Sequence, residues 1–495
     1  MLSIMMLPLA DLLLPPDDMA AVDRAAAASG IDSYGLMEKA GQAVAASALR
    51  HFPEAMRYVV LCGPGNNGGD GYVAARALRQ SGAEVQLYHL GEPKTLKGDA
   101  ARAFADCPFA GEKLEHYLPR SGDVVIDAIF GAGLSRPLPN QVTIAIARVA
   151  EADIPVIAVD LPSGLDGRSG QMLGAAFRAK RTITFMTRKP GHLLIPGREL
   201  CGVLEVVDIG IPARIVRARE NGMLAENTPA QWQANLPAAA TDTHKYKRGH
   251  LVVFSGGATA TGAARMSAMA GLKAGAGLVT IASPEQALAV NAGFLTAIML
   301  RAVEDEVSLR DWLSDKRLST FVLGPGFGAG EKARQFALAL NDRHLVLDAD
   351  GITSFRDDPQ LLFDAFADGP PRLVLTPHEG EFARLFPDIA ADGALSKVEK
   401  ARAAATRAHA AIIYKGADSV IAAPDGRALI NANAPPWLAT AGSGDVLAGI
   451  IGGLMAQGAS AFEAAAAGVW LHGVAGQRAG KGLTAEDLVA HVTPV

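Results

Sequence analysis

The stretch YVVLCGPGNNGGDGYVAARALRQS, residues 58–81, decides the fold of the first half of the chain. Its apolar run Tyr58–Cys62 predicts a buried strand, and the pattern over Gly71–Ser81 predicts a helix. Between them lies GPGNNGGDG (Gly63–Gly71), whose glycines let the backbone approach an anion where a helix begins. A strand, a glycine-rich turn and a helix in this order indicate an α/β domain with a ligand site at the turn.

The same alternation continues outward from this stretch. The first half contains the predicted strands Tyr58–Cys62, Val85–Leu90, Val124–Ile129, Val156–Val159, Thr182–Phe185 and Leu204–Val207, and the predicted helices Gly71–Ser81, Gly98–Ala105 and Gln141–Glu151. Continuous apolar strands separated by helices are typical of a parallel sheet covered on both faces. Ligands of such sheets bind at the carboxyl ends of the strands.

A second α/β domain follows an interruption around residues 213–240, where asparagine, glycine and proline break up regular structure. Its predicted strands are Leu251–Phe254, Leu278–Ala282, Thr320–Leu323, Leu345–Leu347, Leu373–Leu375, Ala411–Tyr414 and Val420–Ala422, with helices at Val446–Gln457 and Ala461–Ala479. At 495 residues the chain is too long for one ordinary core. We therefore expect two domains, residues 1–225 and 226–495.

Composition excludes several classes of function. The chain is 49% hydrophobic and 20% charged, and its net charge of −5 disfavours a general nucleic-acid or membrane-surface role. Its three cysteines are far apart and predict neither a disulfide framework nor a metal cluster, which favours a reducing cytoplasm. The apolar start MLSIMMLPLADLLLPPDD lacks a basic segment and is broken by Pro8 and Asp11, so we expect no export signal and no membrane span.

Three loops of the first domain are expected at one sheet edge: GPGNNGGDG, DAIFGAG (Asp127–Gly133) and DLPSG (Asp160–Gly164). Asn67, Asp127 and the Ser163 region offer only oxygen ligands, and a single carboxylate among them suits K⁺ better than Mg²⁺. Asp160 then remains as the acid/base candidate. Asp70 is expected either to bind a ribose or to cap the helix, and a plain tight turn is the simpler alternative.

The second domain contains its own glycine-aspartate motif, AGSGDVLAG (Ala441–Gly449), before a predicted helix. The amides of Gly442, Ser443, Gly444 and Asp445 would face an anion, and Asp445 would take a proton from a hydroxyl that is being phosphorylated. The simpler alternative is a helix cap. KGADS is expected to hold a nucleotide through Lys415, backbone amides and Ser419, and TPHEGE places His378 at a strand end without the second histidine of a metalloprotease.

Together these motifs resemble a known family, the bifunctional NAD(P)H-hydrate repair enzymes of the YjeF type, over roughly residues 19–492. The resemblance rests on LMEKAG, GPGNNGGDG, DAIFGAGLSRPL and DLPSGLDG in the first half and on HKYKRGHLVVFSGG, GLKAGAGLV, LGPGFG, DADG, TPHEGE, KGADSVIA and GSGDVLAG in the second. It implies a Rossmann-like N-terminal domain that interconverts the (6R) and (6S) hydrates of NADH and NADPH. It also implies a ribokinase-like C-terminal domain that dehydrates the (6S) form while ADP becomes AMP and phosphate.

The resemblance also implies site residues. Substrate contacts in the first domain would come from Asn66, Asn67, Gly68, Gly69 and Asp70, from Gly131, Ala132, Gly133, Leu134, Ser135, Arg136 and Pro137, and from Asp160, with K⁺ at Asn67, Asp127 and Ser163. In the second domain the hydrate would meet Ala263, Gly326, His378 and Asp445, and the nucleotide would meet Lys415, Gly416, Ala417, Asp418, Ser419 and Gly444. Mg²⁺ with the ADP and a homo-oligomer, a tetramer in the family, are further expectations.

Two other functions stay open at this point. The chain is alternatively a ribokinase-fold kinase of a small vitamin precursor with an N-terminal nucleotide-binding module, because the GxGD motif alone does not exclude it. The first domain is alternatively a binding or scaffold module. A stable phosphorylated product would indicate the kinase, and failure to equilibrate the two epimers would indicate the scaffold.

Overall fold

The computed structural model describes residues 9–108, 110–219, 223–237 and 244–494. The chain divides into two compact units, Met1–Asn221 and Gly222–Val495. The first eight residues of the apolar start lie outside the described residues, as do 220–222 and 238–240 of the expected interruption. No helix in the described ranges is long and apolar enough to cross a membrane.

The first unit is a parallel sheet between helices. Its elements are α1 Pro16–Ala28, α2 Ser33–His51, β1 Arg57–Cys62, α3 Asn66–Gln80, β2 Val85–His89, α4 Gly98–Ala105, β3 Glu112–Lys113, β4 Asp123–Ala128, α5 Asn140–Glu151, β5 Val156–Val159, β6 Arg181–Phe185, α6 Gly197–Leu200, β7 Val203–Val207 and α7 Ala213–Arg217. The strand order is β3-β2-β1-β4-β5-β6-β7, and every neighbouring pair is parallel. The order reverses between β1 and β4, which leaves a crevice at their carboxyl ends.

Side chains of the central strands alternate between two cores. Val60 and Cys62 of β1 pack into a core shared with α2 and α3. Val59 and Leu61 pack into a second core with Val142 of α5 on the opposite face. Because both faces are covered, the strands are apolar throughout, and the unit is the three-layer α/β/α arrangement.

The second unit has a larger mixed sheet. Its elements are β8 Leu224–Glu226, β9 His250–Phe254, α8 Gly262–Lys273, β10 Leu278–Ser283, α9 Glu285–Ala292, β11 Met299–Ala302, α10 Glu306–Trp312, β12 Thr320–Leu323, α11 Glu331–Ala339, β13 His344–Leu347, α12 Ala349–Thr353, α13 Pro359–Phe366, β14 Leu373–Leu375, α14 Glu379–Leu385, α15 Pro387–Ala391, α16 Lys397–Ala408, β15 Ala411–Tyr414, β16 Val420–Ala422, β17 Ala428–Ile430, α17 Ser443–Ala456, α18 Ala461–Ala479 and α19 Ala485–Ala490. The strand order is β11-β10-β9-β12-β13-β14-β15-β16-β17-β8.

This sheet is parallel from β11 to β15 and antiparallel where β16 pairs with β15 and β17. Its order reverses between β9 and β12, so a second crevice opens at the carboxyl ends of these strands. The apolar helix α17 lies beneath the sheet and packs closely on α8. A Cβ on Gly449 would lie 2.0 Å from the carbonyl oxygen of Ser267, so only glycine permits this approach.

The structure corrects three expectations about element boundaries. Helix α3 begins at Asn66 and α17 at Ser443, so each glycine-aspartate motif forms the first turns of its helix rather than a loop before it. Strand β8 pairs with β17 in parallel, so the expected boundary after residue 225 falls inside a strand of the second unit. The stretch expected to lack regular structure contains both α7 and β8.

Candidate active sites

The crevice of the first unit is a cavity of about 480 Å³ at the carboxyl ends of β1, β4 and β5. Eight of the residues expected to bind substrate line it: Asn66, Asn67, Asp70, Gly131, Ala132, Gly133, Leu134 and Asp160. Ser135, Arg136 and Pro137 continue the same loop but are exposed and do not line the cavity. The three loops expected at one edge therefore do meet.

Gly68 and Gly69 are buried in the packing of α3 instead of facing the cavity. A Cβ on Gly68 would lie 2.0 Å from the carbonyl oxygen of Gly63, and one on Gly69 would lie 2.6 Å from the sulfur of Met37. Because these two positions have no side chain, α3 can lie close to the Gly63 carbonyl and to Met37. Asp70 does not cap α3, because it is the fifth residue of that helix and Gly65 occupies the N-cap position.

Asp160 is held in a strained conformation at the end of β5. Its φ of 65° lies in the left-handed region, which costs a non-glycine residue of order 1–3 kcal/mol. Its amide donates to the carbonyl of Ile183 over 2.7 Å. The ring Nε2 of His192 donates to the carbonyl of Asp160 over 2.8 Å, a tautomer fixed because Nδ1 accepts from the amide of Lys189. The surrounding structure thereby fixes where this carboxylate points.

The carboxylate of Asp160 accepts three hydrogen bonds. Lys189 Nζ donates to Oδ1 over 2.5 Å and the Thr184 hydroxyl donates to the same oxygen over 2.9 Å, while the Ala132 amide donates to Oδ2 over 2.8 Å. Burial alone would raise the pKa of Asp160, but the charge and hydrogen bond of Lys189 lower it to about 2. Burial and the charge of Lys189 lower the pKa of His192 to about 4, so this ring is neutral near pH 7.

Asp127 and Ser163 meet directly beside the cavity. The Ser163 hydroxyl donates to Asp127 Oδ1 over 2.6 Å, and the Ser163 amide donates to Oδ2 over 2.7 Å. Burial raises the pKa of Asp127 to about 6 despite these hydrogen bonds. Asn67 Nδ2 is buried without a hydrogen-bond partner among the described residues. A Cβ on Gly131 would lie 2.9 Å from both Asn67 Oδ1 and Asp160 Oδ2, so these oxygens converge on one small space.

Sequence reasoning missed two contributors to this cavity. Lys189, four residues after the end of β6, becomes one of the most deeply buried long side chains. Helix α1 adds Met19 and Asp23 to the cavity wall. For Lys189, its place shortly after a predicted strand was a signal that could have indicated a role in the site. Nothing in the pattern of α1 indicated that it would lie over the strand ends.

In the second unit, Asp445 is the third residue of α17. The residue before this helix, Gly442, occupies the N-cap position with a left-handed φ of 84°. The free amides of this first turn and the helix dipole favour an anion there. Burial and the charge of Asp348 raise the pKa of Asp445 to about 6. Ser443 turns inward, since its carbonyl accepts from buried His472 Nε2 over 3.0 Å.

Lys415 connects this turn with two neighbouring strand ends. Its Nζ donates to Asp348 Oδ1 over 2.8 Å and lies 3.9 Å from Glu381 Oε2. Although burial disfavours the charged form, Asp348 and Glu381 raise the pKa of Lys415, so it stays protonated. A Cβ on Gly444 would lie 3.7 Å from Lys415 Nζ and 3.6 Å from Asp348 Oδ2. Asp348, from the DADG motif, is the site residue that sequence reasoning did not single out.

The remainder of KGADS is an internally bonded turn. The Ser419 hydroxyl contacts Gly416, accepting from its amide over 3.1 Å, and Asp418 pairs with Lys397. Side chains of this turn are thus engaged with protein groups, while Lys415 faces Asp445. Ala417 completes the turn between β15 and β16.

His378, Gly326 and Ala263 lie at the ends of three different elements. His378 caps α14, where its Nδ1 accepts from the Gly380 amide over 3.0 Å, and its side chain is 56% exposed. Gly326 has a φ of 63°, and a Cβ there would lie 3.2 Å from the Cβ of Ala263. The loop after β12 therefore touches the first turn of α8, with Gly326 and Ala263 at the contact.

These features define a two-domain α/β enzyme with a carboxylate-containing site at the strand ends of each domain. Residues 33–191 match the family model of the YjeF-related protein N-terminus, and residues 251–492 match that of NAD(P)H-hydrate dehydratase. The chain is 38% identical to a bifunctional NAD(P)H-hydrate repair enzyme of Moorella thermoacetica, covering 96% of this chain and 95% of the relative. It is 36% identical to the bifunctional NAD(P)H-hydrate repair enzyme of Thermofilum pendens, covering 96% of this chain and 94% of the relative.

Among solved structures, the ADP/ATP-dependent NAD(P)H-hydrate dehydratase of Bacillus subtilis is similar, with 23% identity, a TM-score of 0.45 and coverage of 54% of this chain and 95% of that one. The relatives that match over nearly the full length of the chain show which family it belongs to. The chain belongs to the bifunctional NAD(P)H-hydrate repair enzymes, which confirms the family expected from the motifs and makes the kinase alternative wrong.

Proposed function

We propose that the first unit epimerises the (6R) and (6S) hydrates of NADH and NADPH and that the second unit dehydrates the (6S) hydrate, converting ADP to AMP and phosphate. The observation that carries this proposal is the presence of both sites on one chain, each with its carboxylate, Asp160 or Asp445, at a strand-end crevice. The epimerase and dehydratase domains would correspond to the two units, residues 1–221 and 222–495.

The second site contains what dehydration needs. The hydrate carries a hydroxyl on the carbon next to the ring nitrogen. Phosphorylation turns this hydroxyl into a good leaving group, and the nitrogen lone pair then expels phosphate. Asp445 would take the hydroxyl proton, while the α17 amides and Lys415 would stabilise charge on the transferring phosphoryl group. Ala263, Gly326 and His378 would contact the hydrate, and Lys415–Ser419 with Gly442–Gly444 the nucleotide, which would enter as its Mg²⁺ complex.

The first site fits a monovalent cation beside the substrate. Asn67, Asp127 and Ser163 offer oxygen atoms and one buried carboxylate, next to which a positive charge would be stabilising. Low charge density and oxygen donors match K⁺. These three residues would hold the ion, which would supply electrostatic attraction to the hydrate's oxygens. Asn66, Asp70 and the Gly131–Pro137 loop would bind the substrate around it.

The decisive experiment incubates the protein with a mixed (6R)/(6S) NADH hydrate, ADP, Mg²⁺ and K⁺, and follows NADH by its absorbance. Complete conversion requires both activities. An arrest at the (6S) fraction would contradict the epimerase half, and a stable phosphorylated product would contradict the dehydratase half. The Asp445→Asn variant should epimerise without producing NADH, and Asp160→Asn should convert the (6S) fraction only.

We also propose that the protein is a cytoplasmic homo-oligomer, a tetramer by family. Edge strand β7 supports self-association, because among the described residues it pairs only with β6 and so leaves one edge open to another strand. Sedimentation equilibrium tests this directly. A monomer at micromolar concentration would contradict it.

A further inference from the structure

Asp70 is the one carboxyl group lining the first cavity from α3, and it differs sharply from Asp160. Asp160 accepts hydrogen bonds from Lys189, Thr184 and Ala132. The carboxyl of Asp70 has no hydrogen-bond donor in the part of the chain that the structure describes. Asp160 thus accepts three hydrogen bonds and Asp70 none, while a third carboxyl group of the cavity, Asp23 of α1, belongs to an exposed residue.

The charges around Asp70 come from three elements. Asp23 lines the cavity from α1, Asp160 follows β5, and Lys189 follows β6. Lys189 is engaged by Asp160 and the Thr184 hydroxyl, and neutral His192 lies behind Asp160. Burial and the charges of Asp160 and Asp23 raise the pKa of Asp70 well above its usual range. Burial and these charges therefore favour a proton on Asp70, whereas Asp160 stays ionised.

We infer that Asp70 transfers the proton in the epimerisation, while the Asp160 carboxylate stabilises the positive charge that forms on the ring nitrogen. This inference rests on the epimerase function proposed above. It replaces the sequence-based expectation that Asp160 is itself the acid and base.

The proposed step balances without a redox partner. The Asp70 proton passes to the hydroxyl on C6 of the hydrate, the C6–O bond breaks, and the nitrogen lone pair forms a C6=N double bond as water departs. Water then adds to the opposite face of C6, its proton returns to the Asp70 carboxylate, and the electron pair returns to nitrogen. The cationic intermediate has a fixed counter-charge in Asp160, whose position its donors and strained backbone determine.

Asp160 is poorly suited to the proton transfer for a simple reason. It already accepts hydrogen bonds from an ammonium, a hydroxyl and an amide, and these donors stabilise its ionised form over the protonated one. A general acid contributes typically 10²–10⁴-fold when it carries a proton at working pH. Asp70 fits that requirement better than Asp23, whose pKa burial also raises but which is an exposed residue of α1.

The test measures epimerisation of purified (6R) NADH hydrate with K⁺ present and ADP omitted. If the wild-type protein does not epimerise, the proposed function fails, and the inference about Asp70 fails with it. If it does, Asp70→Asn and Asp70→Ala should each lower kcat by about 10²–10⁴-fold with KM changed only a few-fold. Exposed Asp17→Asn on α1 is the matched control, and ADP-dependent dehydration of the (6S) hydrate by the same variants verifies that each chain is intact.

The pH profile separates proton transfer from substrate holding. Because the acid must be protonated, the wild-type rate should fall as pH rises through the pKa of Asp70. Asp23→Asn removes a negative neighbour, lowers that pKa and should move this limb to lower pH. The residual rate of Asp70→Asn should lack the limb. An Asp70→Asn variant with wild-type kcat and a raised KM, or with the same limb, would overturn the inference.

Discussion

Lys189 Nζ and Asp160 Oδ1 form a 2.5 Å ion pair in which the lysine side chain is only 2% exposed. Removing one partner of such a pair leaves an uncompensated charge, at a cost of about 3–5 kcal/mol. We therefore expect Lys189→Met to lower the stability of the first unit by that amount and to abolish epimerisation. Urea unfolding of the variant measures the first effect, and epimer equilibration measures the second.

The double variant Lys189→Met/Asp160→Asn is the control for this prediction. It removes both charges, so it should recover most of the lost stability while epimerisation stays absent. A double variant as unstable as Lys189→Met would show that packing of the lysine stem, and not the ion pair, determines the loss.

Asp445 should give the dehydration reaction its pH dependence. A base must be deprotonated, and the pKa of Asp445 is raised to about 6, so the rate should fall as pH drops through about 6. Asp445→Asn should lower kcat by about 10²–10⁴-fold. Initial rates of NADH formation from (6S) hydrate and ADP, between pH 5 and 8, check both expectations.

The raised pKa of Asp445 also predicts an effect on the folding stability of the second unit. The folded-state pKa of Asp445 lies above its unfolded value, so its contribution is favourable at low pH and is lost as pH rises through about 6. At pH 7 the ionised carboxylate therefore destabilises the second unit, and Asp445→Asn should raise its melting temperature. An unchanged or lower melting temperature would show that Lys415 compensates the charge fully.

The central strands were predictable because a buried parallel strand is an uninterrupted apolar run. Strands β5, β12 and β14 match the sequence-based bounds to the residue. The edge strands β3 and β11 were missed because they are exposed and short, so they lack that signature. Helices α3 and α17 were predicted to start too late because glycine is a poor helix former, and their first turns are rich in it.

The site was predictable as far as motifs identify strand ends. Asp160 does line a cavity at a sheet edge and Asp445 does lie in the first turn of a helix, but the sequence does not indicate which groups surround each carboxylate. The Lys189–Asp160 pair and the Lys415–Asp348 pair join residues on different loops, and only tertiary structure brings these together. The division of roles inferred for Asp70 and Asp160 depends on such tertiary contacts.

Replacing K⁺ should affect one activity only. If Asn67, Asp127 and Ser163 hold K⁺, exchange into tetramethylammonium buffer should reduce epimerisation at least several-fold and leave dehydration of the (6S) hydrate unchanged. Restoring K⁺ should restore the rate. Ser163→Ala, which removes the hydroxyl bound to Asp127, should raise the K⁺ concentration needed for half-maximal rate. Equal rates in both buffers would contradict the proposed ion site.

Two glycines of the second site should respond differently to alanine. At Gly444 the backbone is helical and the new Cβ would meet Lys415 Nζ and Asp348 Oδ2 at ordinary contact distances of 3.7 and 3.6 Å, so Gly444→Ala should fold normally. Its methyl group would occupy space beside the proposed phosphate position, so the KM for ADP should rise, by about tenfold if the lost contact is worth ~1.4 kcal/mol.

At Gly326 the φ of 63° and the 3.2 Å approach of Ala263 Cβ oppose any side chain. Gly326→Ala should therefore cost about 1–2 kcal/mol of stability, seen as a lower urea midpoint. Thermal melts and ADP titrations of both variants separate the two effects, and a destabilised Gly444→Ala with unchanged KM would show that Gly444 serves packing and not the nucleotide.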